Sequence, residues 1–226
     1  MTTPLSAPLL VPRFPFAATA AEANAARQWE AGLHTHAQFL EAVKAGNHPE
    51  VEKLLEAGAN ANRVTPYFNS SEHDEAAAHD NPSINTALLW AVIKGDPQMA
   101  RLLFEHGAAP DLPRTVDGLT ALAVAADGGH FDAVELLLDN DANPNLPGPD
   151  VGINALMRAS RYNHPKIVKL LLERGADPNR VATLGVSTIE TSALMEASQA
   201  GNVEIVTLLA GHGAHLNETT SQGATA

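Results

Sequence analysis

The feature of this sequence that most constrains its fold is a leucine-rich motif that recurs five times around a turn residue. The copies are "LLEAGANAN" (54–62), "LLFEHGAAPD" (102–111), "LLLDNDANPN" (136–145), "LLLERGADPN" (170–179) and "LLAGHGAHLN" (208–217). Their turn residues, Gly58, Gly107, Asp141, Gly175 and Gly213, are 49, 34, 34 and 38 residues apart. A unit of this size cannot bury its apolar face alone, so the pattern predicts units that stack on one another.

Each unit is predicted to contain two helices separated by a short break. A second turn residue lies 12 positions before the first, at Gly46, Gly95, Gly129, Asn163 and Gly201. The apolar spacing over Pro165–Arg174 predicts a helix with a broad buried face. Gly175 follows where such a helix ends in a left-handed conformation, which glycine adopts without strain. Asp141 holds that place in one unit, where we expect a mild local weakness.

A further short motif stands at the start of four first helices: "TAL" (86–88), "TAL" (120–122), "NAL" (154–156) and "SAL" (192–194). Together with the loop ending "GADPN" (175–179), these stretches resemble the ankyrin repeat, a family with a unit of about 33 residues and a T-P-L-H-x-A helix start. The resemblance covers residues 34–217. It implies an all-α fold, an ankyrin-repeat solenoid of about five helix-turn-helix repeats with an N-terminal helix.

The predicted organisation has four parts. Residues 1–17 are proline-rich and expected to be extended, and the alanine-rich residues 18–33 are expected to form a helix that caps the first repeat. The repeats are predicted at 34–62, 84–113, 118–147, 152–181 and 190–217, with an insertion at 63–83. Residues 218–226 read as a tail or the start of a further repeat, because "GATA" (223–226) falls in register with the helix start. That ending favours a fragment of a longer protein.

Composition and charge exclude several function classes. The net charge of −12 disfavours nucleic acid and anionic membranes as partners. The sequence holds no apolar run long enough for a membrane span, and prolines interrupt the only early apolar stretch, which argues against a signal peptide. The absence of cysteine excludes a disulfide framework and fits a reducing, cytoplasmic location. No nucleotide-binding motif occurs, and we predict no cofactor.

One loop resembles a metal site only weakly. The stretch "EHDEAAAHD" (72–80) contains His73 and His79 with neighbouring carboxylates, and His34 and His36 lie upstream. Histidine and carboxylate side chains bind zinc or nickel when they are held at fixed distances. The alternative, which we favour, is a solvated acidic loop, so no metal is predicted.

The best candidate site comes from equivalent positions on the first helices, which the family resemblance places along a concave groove. Tyrosine, tryptophan and arginine are enriched at binding hot spots, and this set contains all three. Ion pairs between neighbouring repeats, Arg158 with Glu196 or Asp127 with Arg161, are feasible. The predicted partner-binding residues are Trp90, Ile93, Lys94, Asp127, Arg158, Arg161, Tyr162, Glu196 and Gln199. The competing interpretation is a row of solvated salt bridges with no binding role.

Three functions fit these observations. The first is a non-catalytic protein–protein interaction module that holds a partner segment in the groove and the finger loops, with a basic or mixed-charge partner surface. The second is a structural or autoinhibitory scaffold within a larger protein, in which the proline-rich segment "PLLVPRFPF" (8–16) lies along its own groove or along that of a neighbouring molecule. The third is an enzyme with Asp127, Arg158, Tyr162 and Glu196 as acid–base groups, which an open groove disfavours. An intact array is expected to be monomeric, with association through an uncapped C-terminal repeat as the alternative.

Overall fold

A computed structural model describes residues 35–63, 85–113, 118–148, 152–184 and 189–217. The first helices of the five repeats are α1 (35–44), α3 (Ala87–Ile93), α5 (Ala121–Asp127), α7 (Ala155–Arg161) and α9 (Ala193–Gln199). The second helices are α2 (His48–Glu56), α4 (Pro97–Glu105), α6 (Phe131–Asp139), α8 (Pro165–Glu173) and α10 (Val203–Gly211). Two strands, β1 (Val181–Leu184) and β2 (Ile189–Ser192), separate α8 from α9.

The first helices begin where the repeated motif predicts. Side chains of Thr86, Thr120, Asn154 and Ser192 each accept a hydrogen bond from the backbone N–H three residues later. Such N-caps satisfy a helix donor that has no partner inside the helix. The motif therefore sets the helix start by capping, and the alanine that follows it is buried in all four helices.

The second helices end at the predicted turn residues. Gly175 has a φ of +86°, the left-handed conformation expected of a glycine after a helix. Asp141 adopts the same conformation with a φ of +63°, as its position in the motif predicts. Asn163, at the turn between the two helices of the fourth repeat, is left-handed as well, with a φ of +62°.

The helices form two layers, with α3, α5, α7 and α9 side by side in one layer and α4, α6, α8 and α10 in the other. Leucine, valine, isoleucine and alanine fill the continuous core between the layers, and Leu89, Leu103, Leu156 and Leu171 are fully buried. Small alanines on the first helices let neighbouring repeats approach closely. The structure thus confirms the all-α helical-repeat solenoid.

The 38-residue spacing before the fifth turn residue is four residues longer than the two before it, and the structure forms a β-hairpin in this stretch. Strands β1 and β2 are antiparallel, with Val181 opposite Ser192 and Thr183 opposite Glu190. Threonine, valine and isoleucine in this stretch favour extended backbone, a signal that could have indicated the strands. The hairpin is joined to α9 directly, since Ser192 ends β2 and also caps that helix.

An asparagine ladder joins the loops of successive repeats. Asn145 Nδ2–H donates to the Gly175 carbonyl (2.9 Å), and Asn145 Oδ1 accepts from the Asp177 N–H (2.8 Å). Asn62 and Asn179 make the same two bonds to the loops that follow them. At the equivalent place in the second repeat Asp111 only accepts, from the Asn143 N–H at 3.1 Å.

Candidate partner-binding surface

The predicted site residues lie between the middle and the C-terminal end of the first helices, where two ion pairs cross between repeats. Arg158 Nη1 lies 2.7 Å from Asp127 Oδ1, and Arg161 Nε lies 3.8 Å from Glu196 Oε2. The sequence suggested the pairs Arg158–Glu196 and Asp127–Arg161, and both pairings are wrong. Neighbouring helices are offset, so each residue faces the position one turn earlier in the next repeat. Apolar Ile93 and Val124 hold the corresponding positions between the second and third repeats.

Trp90 does not belong to an open groove, contrary to the prediction. Its side chain is only 2% exposed, and the Lys44 ammonium of α1 lies 5.1 Å from the centre of its ring. Every residue of α3 except Ile93 is buried. A large aromatic ring stabilises the fold more when it is buried than when it is exposed to water. Trp90 is therefore a core residue, and its truncation would damage the fold before it affected recognition.

Glu196 is likewise withdrawn from the surface. It is 6% exposed, and its Oε1 accepts a hydrogen bond from the Thr191 hydroxyl at 2.9 Å. Its other oxygen faces Arg161. Because Thr191 lies in β2, this carboxylate fixes the hairpin against α9. Sequence reasoning missed Thr191, although a threonine five residues before a buried glutamate can form such a bond.

The exposed part of the predicted set is centred on Arg161 and Tyr162, which we call the Arg161–Tyr162 patch. Tyr162 is 50% exposed, and the Arg161 guanidinium carbon lies 6.0 Å from the centre of its ring. Both residues lie at the C-terminal end of α7, where Arg161 is the last helical residue and Tyr162 is the C-cap. Lys94 and Gln199 are exposed at the corresponding ends of α3 and α9. The patch offers a cation, an aromatic face and a phenolic hydroxyl to a partner.

Arg158 and Asp127 support this patch from below. The Arg158 side chain is mostly buried, and the Asp127 carbonyl accepts a hydrogen bond from His164 Nε2 at 3.1 Å. His164 thus links the turn of the fourth repeat to the third, which is a structural role. These contacts hold α5 and α7 in register, so the patch rests on a fixed base.

The described residues contain no group of three or more side chains suited to a metal ion. His73 and His79, the weak metal candidates, lie outside the described residues. His36 is buried in α1, and neither of its ring nitrogens has a hydrogen-bond partner within the described part of the chain. Burial, with the nearby charge of Arg63, lowers the pKa of His36 to about 4. A neutral imidazole in the core is what this environment stabilises.

A cleft between the second and third repeats was not foreseen. It has a volume of about 290 Å³ and is lined by residues of α3, α4 and α6. Its origin is visible in the sequence, because Ala133 holds the third position of α6, where α4, α8 and α10 have Met99, Ile167 and Ile205. Those three side chains are almost completely buried. Ala100, which also lines the cleft, stands where α6 and α8 have valine.

The protein is a helical-repeat solenoid with a polar surface that includes Tyr162. Its short helices stack in pairs, four of its first helices share the same type of N-cap, and asparagine hydrogen bonds join its loops. The chain belongs to the ankyrin-repeat family, since the family profile described as "Ankyrin repeats (3 copies)" matches residues 39–148, 88–182 and 156–226. Ankyrin repeats are generally protein–protein interaction modules and typically not enzymes.

Known relatives agree with that assignment. The Notch-regulated ankyrin repeat-containing protein of Xenopus tropicalis is 37% identical over 101 residues, which are 45% of this chain and 77% of that protein. Its Homo sapiens counterpart is 36% identical over 96 residues, 42% of this chain and 73% of the relative. Potassium channel AKT3 of Oryza sativa subsp. japonica is 60% identical over 47 residues, 21% of this chain but 5% of the channel. Among the described residues, no helix combines the length and apolarity that a membrane crossing requires.

Proposed function

We propose that this chain is a non-catalytic recognition module that binds a segment of a partner protein at the Arg161–Tyr162 patch. The observation that carries the proposal is the half-exposed Tyr162 ring beside the Arg161 guanidinium on a base held by ion pairs. Tyrosine and arginine side chains that are already held in position lose little conformational entropy on binding, and these residue types are enriched at interface hot spots. Gln199 extends the surface onto the fifth repeat, and Lys94 is exposed at the equivalent place on the second repeat.

The charges favour a partner segment of mixed charge. The chain as a whole carries a net charge of −12, which attracts basic partners over a distance. The patch itself presents the Arg161 cation, which favours a carboxylate at the point of contact. A partner with a basic flank and an acidic or polar centre would satisfy both, and its association should slow as salt is raised.

The geometry favours binding over catalysis at the four residues that the enzyme hypothesis would use as acid–base groups. Asp127 and Arg158 are bonded to each other at 2.7 Å, and Glu196 is buried against Thr191. Tyr162 is half-exposed to water. General acid–base catalysis needs groups that can approach a substrate in a site shielded from water. The scaffold hypothesis depends on the proline-rich segment within residues 1–17, which lies outside the described residues.

The proposal is tested with a variant that spares the core. Arg161→Ala with Tyr162→Ala removes the patch, and Lys166→Ala with Val203→Ala is the matched control on exposed residues of α8 and α10. Each chain is immobilised, partners are captured from native lysate, and the affinity of an identified partner is then measured with purified protein. Circular dichroism establishes that all chains are equally folded.

We expect the patch variant to weaken partner binding by roughly tenfold or more, the effect of losing a hot spot. The control should bind as the unmodified chain does. Equal affinities of the unmodified chain and the patch variant would overturn the proposal. Trp90→Ala is not used, because loss of this buried ring would disturb folding.

A further inference from the structure

We propose that the cleft between the second and third repeats receives a branched aliphatic side chain of a partner protein, carried next to a lysine or arginine. The inference does not depend on the Arg161–Tyr162 patch, because the cleft lies among α3, α4 and α6 and shares none of its residues. It would give this chain a second recognition site on its second-helix layer.

The shape of the cleft follows from two missing side chains. Ala133 and Ala100 face the same space from α6 and α4. The second, fourth and fifth repeats carry methionine or isoleucine at the place of Ala133, and the other four repeats carry valine at the place of Ala100. An isoleucine at the third position of the helix is 2% exposed in α8 and fully buried in α10. An aliphatic side chain supplied from outside would therefore occupy the place that the chain's own side chain fills elsewhere. Transfer of such a group out of water is favourable.

The walls of the cleft suit an apolar group. Val92 and Leu137 are buried at its base, Leu136 is half-buried, and Phe131 at its mouth is 36% exposed. At about 290 Å³ the cleft has room for one aliphatic side chain and part of its backbone. A concave, mostly apolar site with a few polar groups around it is typical of a place that binds a ligand group.

The charges around the cleft determine the neighbouring residue of the occupant. Among the residues that the structure describes, the lining contains the carboxylates of Asp96 and Asp132 and neither lysine nor arginine. Asp132 is exposed in the first turn of α6, whereas Asp96 caps α4 and contacts His48 Nε2 at 2.9 Å. A cation beside the aliphatic residue would reach Asp132 first. Electrostatic complementarity of this kind selects partners more than it adds affinity.

The test selects random linear peptides displayed on phage against the full chain, with counter-selection against Ala133→Ile. This variant places in α6 the residue that α8 and α10 already have, so it should melt at a higher temperature than the unmodified chain. We expect the selected peptides to share a leucine, isoleucine or valine next to lysine or arginine. Their dissociation constants are then measured by fluorescence anisotropy with synthetic peptides.

Ala133→Ile should weaken binding by roughly tenfold or more, the worth of burying one such side chain. Asp132→Asn should weaken it by about threefold, as expected for an exposed ion pair. Arg161→Ala with Tyr162→Ala should leave peptide binding unchanged, which separates this site from the proposed function. If Ala133→Ile does not fold, Ala133→Val fills part of the cleft and takes its place in every measurement.

Any one of four results would overturn the inference. Peptides that bind Ala133→Ile as tightly as the unmodified chain would lie outside the cleft. A selection that yields no cleft-dependent peptide would exclude the proposed occupant. Cleft-dependent peptides that contain neither lysine nor arginine would exclude it as well. Self-association of the unmodified chain that disappears in Ala133→Ile, measured by sedimentation, would assign the cleft to a second copy of this chain instead.

Discussion

Two neighbouring repeat interfaces of this solenoid are built on the same plan but held together differently. Between the third and fourth repeats, Asp127 pairs with Arg158, Asp139 pairs with Arg174 at 2.7 Å, and Asn145 bridges two loops. That interface supports the Arg161–Tyr162 patch.

Between the second and third repeats, the same positions hold residues that cannot make these bonds. Ile93 and Val124 replace the first ion pair, and Glu105 and Asn140 replace the second. The Asn140 side chain donates to the Leu136 carbonyl of its own helix, at 2.8 Å. Asp111 stands where the ladder needs asparagine, and the cleft opens at the same interface. Family membership thus fixes the plan of an interface, and single residues set its strength.

The largest expected effect comes from removing the ladder at the stronger interface. Asn145→Ala breaks two hydrogen bonds and leaves the Gly175 carbonyl and the Asp177 N–H without their partner. At about 1 kcal/mol for each bond, the free energy of unfolding should fall by about 2 kcal/mol. Urea denaturation followed by circular dichroism measures this change.

Asp111→Ala is the matched variant at the weaker interface, where one acceptor is lost. We expect it to cost less than half as much as Asn145→Ala. Equal losses would mean that the two interfaces do not differ in the way their hydrogen bonds suggest.

An intermediate effect is expected at the turn residue of the third repeat. Asp141→Gly relieves a left-handed conformation that costs a residue with a Cβ about 1 kcal/mol, and it should stabilise the chain by roughly that amount or less. Thermal denaturation reports the change as a higher melting temperature. The reciprocal control is Gly175→Asp, which should destabilise the stronger interface because Gly175 has a φ of +86°. A lower melting temperature for Asp141→Gly would contradict the interpretation.

The smallest expected effect depends on pH. Asp111→Asn restores the donor of the ladder and should stabilise the chain by about 0.5–1 kcal/mol at pH 7. Burial raises the pKa of the Asp111 carboxyl in the folded chain above 3.8, although the Asn143 N–H acts in the opposite direction. The folded state therefore binds the proton more tightly than the unfolded state, so ionisation of Asp111 costs stability as the pH rises.

The stability advantage of the Asp111→Asn variant over the unmodified chain should consequently be largest at neutral pH and shrink as the pH falls towards 4. The difference between the two chains is measured at each pH, because His36 also titrates in this range and contributes equally to both. A difference that stays constant from pH 7 to pH 4 would show that the Asp111 carboxyl does not titrate differently in the folded and unfolded states.

The sequence was sufficient to predict the array and the register of its turns. Caps such as Thr86 and turn residues such as Gly175 act on the backbone next to them, so their spacing in the sequence predicts where the helices begin and end. The partners of the surface charges could not be predicted in the same way. The pairing of Arg158 with Asp127 depends on the offset between neighbouring helices, which arises only when the repeats stack.

Burial of individual residues also required the structure. Trp90 lies in the middle of α3 and Tyr162 is the C-cap of α7; the sequence assigned both to one surface, yet Trp90 is in the core and Tyr162 is half-exposed. The cleft could have been predicted, because Ala133 is small where the aligned repeats are large. The hairpin was indicated only by a few β-branched residues, and the role of Thr191 depends on its contact with Glu196.

The difference in strength between the two interfaces is tested most directly by native-state hydrogen exchange on the unmodified chain and on the double variant Asp111→Asn with Asp141→Gly. The weaker interface predicts that α3 and α4 exchange at a lower free energy of opening than α7 and α8 in the unmodified chain. The double variant should raise that free energy for α3 and α4 by about 1 kcal/mol and leave α10 unchanged. Equal protection on both sides of the interface, with no response to the double variant, would contradict the account.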